Sequence, residues 1–478
     1  MKKLKNKWLL KSFSFCLALT LLGGCKKYLD QKPENSLTRD EFFKTEADAN
    51  TAIMGVYDAL QASVSQFLKW GEHRGDLVSF DTDPVYLHSI DNQNAISNWS
   101  SVYNLIGRAN IVIEKVPDIP GLDKRFTEQE SKAVIGEALF LRALSYFYLV
   151  RAFKEVPLVL EAPSSDAVDF LVPKSSADSI LNQIEADLVT AEKDLPVEYG
   201  RNIETRGRAT KGAANALLTD VYLWRKKYAE AAAASKKVLD NTALYQLVPG
   251  DQWFTMFSTK NSTESIFEVQ FDVALSETSQ SLQSAGSGLV NTSLYNLFNQ
   301  DQDLVRGLNR TYTESGSRSF WKYTGLTTDN VPRGSADPDF IVYRLADVML
   351  MRAEALAHLG LAEKAEAANL INAIRDRAGL PAYDPLNENS EVSDFIFAIL
   401  RERAMELAME GKRWFDLVRI ATNENNPDIL ISRVVASRLV ANRAQVRSRI
   451  IDSRSWYLPI LKDELAKNPN LIQNPYYQ

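Results

Sequence analysis

Histidine and cysteine are scarce in this 478-residue chain. The three histidines are His73, His88 and His358, and both cysteines, Cys16 and Cys25, lie near the amino terminus. A disulfide framework or a cysteine-based metal site is therefore excluded for the rest of the chain. Zinc or di-iron chemistry that needs several histidines is nearly excluded as well. We accordingly expect neither a resident metal nor a cofactor.

An excess of positive charge is also missing. Lys and Arg total 55 against 61 Asp and Glu, which gives a formal net charge of −6. A basic surface for nucleic acid is therefore not expected. The chain contains no Gly-rich phosphate loop and no G-x-S-x-G nucleophile motif. What it does contain, 45% hydrophobic and 24% charged residues, is typical of a folded globular protein.

The first 24 residues have the pattern of an export signal. Five lysines precede an apolar run from Phe13 to Leu22, which is too short to span a membrane and fits the core of a signal peptide. The run ends in Leu22-Gly23-Gly24-Cys25, a sequence typical of a lipobox. We expect residues 1–24 to be removed and Cys25 to carry acyl chains such as palmitate, which hold a protein stably at a membrane when two or more are present. The alternative is a plain secretory signal with an incidental cysteine.

Most of the chain after Cys25 shows the 3.6-residue periodicity of amphipathic helices. Several of the predicted helices follow each other across a tight turn, with small alanines that allow close approach, and this layout resembles tetratricopeptide units. The sequence thus predicts a mainly α fold with about four such helix pairs as a scaffold, long irregular loops and a few short strands. The predicted helices are Thr45–Ala62, Trp99 to before Pro117, Glu128–Phe153, Asp178–Asp194, Thr210–Trp224, Tyr228–Asp240, Leu345–Leu359, Ala362–Arg377, Ile399–Glu410 and Arg413–Ile420, with a strand at 264–271.

Long loops in a compact protein are usually functional, and two regions here, roughly 63–98 and 272–340, mix aromatic with hydrogen-bonding residues. Aromatic rings cover the C–H faces of sugars, and Asn, Asp, Gln and Arg bond their hydroxyl groups. We predict Ser276–Gly288, within the second region, to be flexible. The candidate ligand-binding residues are Asp81, Tyr86 and Asn92 in the first region and Tyr312, Trp321 and Tyr323 in the second, and Trp321 is the best single candidate. Trp99, by contrast, is expected to pack at the start of its helix.

Acidic residues offer no clear catalytic or metal site. Glu402, Glu406 and Glu410 are spaced to share one helix face, and we expect them to pair with Arg375, Arg377, Arg403 and Arg413 rather than with a metal. Trp414 and Phe415 are expected in the core. The segment Asn299–Asp303 lacks the glycine and the distal glutamate of an EF-hand. Asp81 and Asp83 lie close together, but a glycosidase pair is the weaker interpretation, and we expect no enzyme activity.

Six segments in chain order resemble the SusD/RagB family of lipoproteins, and together they cover essentially the whole mature chain. They are Cys25–Asp30 with Pro33, Glu137–Ala143 with Tyr146–Phe147 and Val156–Leu158, Tyr343–Ala355, Asn372–Leu380, Arg401–Arg419, and Tyr457–Pro475. The resemblance implies one SusD-like domain over residues 25–478, with four tetratricopeptide-like units supporting a more irregular half that binds the ligand. It further implies a surface-exposed outer-membrane lipoprotein that captures an oligosaccharide, or in some branches a peptide, and delivers it to a SusC-like TonB-dependent β-barrel transporter.

Two other classes of function remain open from the residues alone. A tetratricopeptide-type adaptor or assembly lipoprotein would bind a protein and would not need Trp321. A surface hydrolase would release products from a glycan or a peptide.

Overall fold

The computed structural model describes residues 39–162, 171–285, 288–314, 317–383 and 389–478. The predicted signal peptide, the lipobox and Cys25 lie outside the described residues. The chain divides into two units, Met1–Lys44 and Thr45–Gln478. In the first unit, Arg39–Phe42 forms one helical turn. The second unit contains all the elements below.

Helices dominate the second unit, as predicted, and strands are few and short. The longer helices are α1 (Glu46–Gln61), α2 (Val64–Glu72), α3 (Ser100–Lys115), α4 (Glu128–Phe153), α5 (Ala177–Asp194), α6 (Lys211–Trp224), α7 (Tyr228–Leu239), α8 (Thr292–Asp301), α9 (Leu345–Ala357), α10 (Leu361–Arg377), α11 (Val392–Glu406), α12 (Arg413–Asn423), α13 (Asp428–Ala436) and α14 (Val440–Ile450). Helices of four to six residues lie at Ile119–Leu122, Asn202–Gly207, Thr255–Ser258, Gln280–Ala285 and Lys462–Lys467, and 3₁₀ turns at Ala95–Ser97, Val116–Asp118, Gly250–Gln252, Val273–Leu275, Ser453–Trp456 and Pro475–Tyr477.

Local capping explains where several helices begin. The Thr127 side chain accepts from the backbone N–H of Glu130 while the Glu130 carboxylate bonds back to Thr127, which makes a capping box at the start of α4. Thr45 and Asp48 do the same for α1. Such caps satisfy backbone N–H groups that have no partner within the helix. The helix start is therefore encoded in residues that sequence reasoning can recognise.

The predicted helix pairs are present. α4 packs against α5, α6 against α7, and α9 against α10, while α7 also contacts α9 and so joins two of the pairs. α11 and α12 touch as well. Within the described residues, α4 alone has the length and apolar character that would allow a helix to cross a membrane, and most of that stretch is buried inside the fold. α4 is thus the central element of the scaffold.

The strands form three small antiparallel sheets. The strands are β1 (Val78–Ser79), β2 (Val156–Pro157), β3 (Lys174–Ser175), β4 (Ser265–Val269), β5 (Leu289–Val290), β6 (Tyr312–Thr313), β7 (Ser319–Phe320) and β8 (Phe340–Arg344). One sheet has the order β1-β5-β7-β6, with Val78 opposite Val290 and Leu289 opposite Ser319. The other two pair β2 with β3 and β4 with β8. The first sheet joins the two irregular regions that the sequence analysis singled out, since β1 belongs to one and β5, β6 and β7 to the other.

Buried ion pairs hold the irregular half to the helices. Arg344 contacts Glu264, Glu406 and Glu410, all almost fully buried. Burial raises the pKa of Glu406, but Arg377, Arg344 and Arg306 outweigh that effect and hold the pKa well below its usual range. The Glu406 carboxylate therefore stays ionised in the interior, as a buried charge does only when it is paired.

The acidic residues form structural ion pairs, but two details of the prediction are wrong. α11 ends at Glu406, and Glu410 lies beyond it in a turn where Met409 and Gly411 have positive φ, so the three glutamates do not share one helix face. Arg403 and Arg413 pair with aspartates instead, Arg403 with Asp347 and Asp416, and Arg413 with Asp76. Arg375 and Arg377 contact the glutamates as expected.

Other interior predictions can be checked directly. Trp414 and Phe415 are buried, and so is Trp99, which packs edge-on against Phe153 at the start of α3. The segment predicted to be flexible, Ser276–Gly288, includes the short helix Gln280–Ala285. Leu282 of this helix is fully buried, and the flexibility of the segment stays a prediction.

Candidate functional site

A cleft of about 910 Å³ lies beside the β1-β5-β7-β6 sheet. It is bounded by residues of β1 and β5, the first turn of α8, the junction between α13 and α14, and, before β7, Glu314, Ser317 and Arg318. Both irregular regions contribute to it. The lining residues are Ser79, Asp81, Tyr86, Leu289, Val290, Asn291, Thr292, Ser293, Asn296, Glu314, Ser317, Arg318, Ala436, Ser437, Arg438, Leu439, Val440 and Arg443.

Tyr86, Asn291 and Arg438 form the buried part of the cleft. The Tyr86 hydroxyl donates to the Ser437 carbonyl at 3.0 Å, and the Asn291 amide donates to the same carbonyl at 2.7 Å. The Arg438 guanidinium lies 3.7 Å from the centre of the Tyr86 ring and donates to the Tyr86 carbonyl. Because these groups already bond each other, this part of the cleft is rigid.

Arg438 carries a positive charge that no carboxylate of the described residues contacts. It is 2% exposed, and its nitrogens donate to the carbonyls of Tyr86, Gly75 and Arg74 and to the Ser437 hydroxyl. Burial lowers its pKa to about 10. It therefore remains protonated at neutral pH and contributes positive potential to the cleft.

His88 adjoins the same group. Its Nε2 lies 3.3 Å from an Arg438 nitrogen and 3.1 Å from the Arg74 carbonyl. Burial, with the nearby Arg74 and Arg438, holds the pKa of His88 well below its usual range. The ring is therefore neutral at physiological pH, and it adds no charge to this part of the fold.

The rim of the cleft carries exposed hydrogen-bonding and charged side chains. Asp81 accepts a hydrogen bond from the Ser79 hydroxyl at 2.7 Å. Glu314, which precedes β7, is exposed, and so is Asn296 on α8. Carboxylates and amides placed around an open cleft can bond the hydroxyl groups of a ligand.

Arg318 and Arg443 complete the lining. The Arg318 guanidinium stacks 3.9 Å from the centre of the Tyr295 ring, and its Nη1 is enclosed without a hydrogen-bond acceptor among the described residues. Arg443 donates to the carbonyls of Arg438 and Ala436 at 3.0 Å, at the carboxyl end of α13. Both charges are held in position by neutral groups.

Two of the six predicted binding residues, Asp81 and Tyr86, lie in this cleft. Tyr312 lies next to it: its ring packs against Tyr295, on which Arg318 stacks. Asn92 is not part of the lining, and its backbone carbonyl accepts from Lys462 near the carboxyl terminus. The prediction that these residues bind a ligand stays a prediction.

Trp321 and Tyr323 lie in the interior instead. Trp321 is 7% exposed, packs with Trp253, Phe257 and Ile341, and donates from Nε1 to the Thr327 carbonyl at 2.9 Å. The Tyr323 hydroxyl donates to the Met409 carbonyl at 2.8 Å. Both rings are therefore largely removed from solvent.

Four lining residues were not among the predicted binding residues: Asn296, Arg318, Arg438 and Arg443. A signal for two of them was present, since five arginines and one aspartate lie between residues 428 and 449. Among the described residues, no group of three or more His, Cys, Asp or Glu side chains could hold a metal ion. The lining has the chemistry of a site that binds a polar ligand.

Comparisons with known proteins identify the class to which this helical, cleft-bearing fold belongs. The SusD family matches residues 250–477, and a family described as starch-binding and associating with the outer membrane matches residues 27–223. The chain belongs to the SusD/RagB family.

Individual relatives are similar to this chain over nearly its whole length. A SusD-like protein P38 of Formosa agariphila is 28% identical, with all of both chains covered. A SusD superfamily structure from Bacteroides thetaiotaomicron is 26% identical with a TM-score of 0.74, covering 91% of this chain and 99% of its own. A structure described as a laminarin-binding SusD-like protein is 27% identical with a TM-score of 0.69, covering 91% of this chain and all of its own.

Proposed function

We propose that this protein is a surface-exposed outer-membrane lipoprotein that binds an oligosaccharide in the cleft and passes it to a SusC-like TonB-dependent β-barrel transporter without cleaving it. The observation that carries the proposal is the cleft itself, in which both irregular regions meet and present polar side chains to solvent. Its volume is in the range of ligand-binding clefts.

The chemistry of the lining suits a carbohydrate. Asp81, Asn296 and Ser293 offer acceptors and donors for hydroxyl groups. Leu439 and Val440, which are 56% and 77% exposed, offer apolar surface for the C–H faces of a sugar. A laminarin-binding structure among the relatives and a family described as starch-binding support the same ligand class.

Location and partner rest on other observations. The lipobox-like sequence ending at Cys25 supports a lipid anchor, and the family described as associating with the outer membrane supports the membrane concerned. The transporter is proposed from the family resemblance. The alternatives are that the protein captures a peptide, or that it is an adaptor that binds only proteins. Neither alternative assigns a carbohydrate to the polar cleft.

Binding measurements on the mature body, residues 26–478, test the proposal. We expect at least one member of an oligosaccharide library to bind and to be recovered unchanged after long incubation. Asp81→Asn should weaken that binding about tenfold, since a hydrogen bond to a charged group contributes about 1.5–3 kcal/mol. Asp91→Asn, an exposed aspartate of the same region outside the cleft, is the matched control. Binding to peptides alone, or release of shorter products, would contradict the proposal.

The transporter is tested in membranes. Tagged protein solubilised from the outer membrane should bring down a large β-barrel, whereas recovery of soluble proteins without a barrel would favour the adaptor.

A further inference from the structure

Positive charge in the cleft exceeds what its own carboxylates neutralise. Three arginines line it, Arg318, Arg438 and Arg443, against two acidic side chains, Asp81 and Glu314. Within the described part of the chain, no arginine of the lining forms an ion pair. This contrasts with the interior, where Arg306, Arg344 and Arg403 are each contacted by at least two carboxylates.

Arg318 is the most unusual of the three. Tyr295 fixes the plane of its guanidinium, yet none of its five N–H groups has an acceptor in the described structure, and Nη1 is enclosed. Removing a charged donor partly from water without giving it an acceptor destabilises the folded state. A fixed, unpaired guanidinium fork matches the geometry of a carboxylate or a sulfate.

Two helix ends add to this potential. The first turn of α8, at Thr292 and Ser293, and the first turn of α14, at Val440, both border the cleft. α14 begins after Leu439, which offers no side-chain cap. Helix amino termini carry a partial positive charge and favour anions. The two carboxylates stand at the exposed rim, where solvent screens them, and Asp81 already bonds Ser79.

We infer that the ligand of this cleft is an anionic oligosaccharide, one that carries carboxylate or sulfate groups, and that Arg318 together with Arg443 binds the anionic group. The inference rests on the proposed function and narrows it to a substrate class. Asp81 and Asn296 then bind the hydroxyl groups of the ligand. The buried Arg438 contributes positive potential and keeps its own hydrogen bonds.

The test compares matched pairs of short oligosaccharides. Uronic-acid oligomers of several backbones are measured beside their carboxyl-reduced neutral counterparts, and sulfated oligomers beside their desulfated forms. We expect an acidic oligomer to bind at least about tenfold more tightly than its neutral counterpart, with an advantage that declines as salt is added. The carboxylate and sulfate arms identify which anion the site takes.

Variants link that preference to the cleft. Arg318→Gln should abolish the difference between acidic and neutral members of a pair, and Arg318→Lys should restore part of it because the charge returns without the fork. Arg443→Gln, at an exposed position, should reduce the preference. Arg310→Gln, in the same region but outside the cleft, should leave it unchanged.

The two proposals fail differently. Equal affinity for acidic and neutral oligomers, or a preference that survives both Arg318→Gln and Arg443→Gln, overturns the anionic ligand while carbohydrate binding stands. Absence of binding to every glycan, with capture of acidic peptides instead, overturns the proposed function as well.

Discussion

A single buried carboxylate, Glu72, shows how much one residue can depend on its surroundings. Its Oε1 accepts from the backbone N–H groups of Gly411 and Lys412 at 3.1 and 3.3 Å, while Oε2 has no hydrogen-bond partner in the part of the chain that the structure describes. Burial raises the pKa of Glu72 to about 8, although Lys412, Lys322 and Arg413 act in the opposite direction. The protonated form is therefore favoured in the folded protein at neutral pH.

Glu72→Gln mimics that protonated form, so its effect on stability should depend on pH. Because the folded state holds the proton more tightly than the unfolded state, wild-type stability falls as pH rises from about 4.5 toward about 8, by up to about 1.4 kcal/mol per pH unit. The variant does not lose this stability. Urea unfolding should give similar free energies near about pH 5 and a more stable variant near about pH 9.

The exposed Glu128→Gln is the control, and it should show no such divergence over the same range. Parallel pH profiles for wild type and Glu72→Gln would contradict the assignment of a protonated Glu72.

Residue identity alone also could not separate binding aromatics from packing ones. Trp321 and Tyr323 stand among polar neighbours in the sequence, which suggested exposure, but their rings are buried by Trp253 and by the turn at Met409, each distant along the chain. Asp81 lies at the rim of the cleft, where a charged loop residue reaches solvent, and its role in binding stays a prediction. Arg318 was not predicted to bind a ligand. That no described carboxylate pairs with it depends on which residues the fold brings near it, and the sequence does not show this.

At the scale of elements, the helices followed from the sequence much better than the sheets. α4 has the predicted bounds, Glu128 to Phe153, because caps and apolar periodicity are local. The strands β1 and β5 have two residues each, too few for alternation to be seen, and they pair with each other although Val78 and Val290 lie far apart in the chain. Their pairing depends on how the helices bring the two irregular regions together.

The close approach of α2 to the turn at Gly411 can be tested by substituting one glycine in α2 and one in α3. A methyl group on Gly71, in α2, would overlap the backbone carbonyl of Gly411, and Gly411 itself has a φ of +72°. A backbone atom cannot move as a side chain tip can, so Gly71→Ala should destabilise the fold by about 1–3 kcal/mol or more. The melting temperature and urea unfolding measure the loss.

Gly107 in α3 provides the matched substitution, since a methyl group there meets nothing within 4 Å. Gly107→Ala should be neutral or stabilise by up to about 1 kcal/mol, because alanine is the better helix former. Equal effects of the two substitutions would refute the close approach of α2 to the turn at Gly411.

For the whole molecule, the proposed role requires two activities in one chain, a cleft that binds and an anchor that holds the cleft at the membrane. The cleft is built by α8, α13, α14 and the small sheet, whereas the anchor is proposed at Cys25, outside the described residues. Neither activity should depend chemically on the other, since the body would keep its ion pairs and its helix packing without the acyl chains. Separating them is therefore the sharpest test of the arrangement.

Cys25→Ala should separate the anchor from the binding site. Without the thiol no thioether-linked lipid can be attached, and two acyl chains are what make membrane attachment stable. We expect the variant to lose palmitate labelling and to disappear from the detergent-extracted outer-membrane fraction, while any of it that is purified binds the same oligosaccharide with unchanged affinity. Cys16→Ala, within the apolar run of the signal, should leave labelling, fractionation and binding as in the wild type. Outer-membrane retention of Cys25→Ala at the wild-type level would show that the protein is held there by something other than lipid, and the transporter contact would then have to supply the whole attachment.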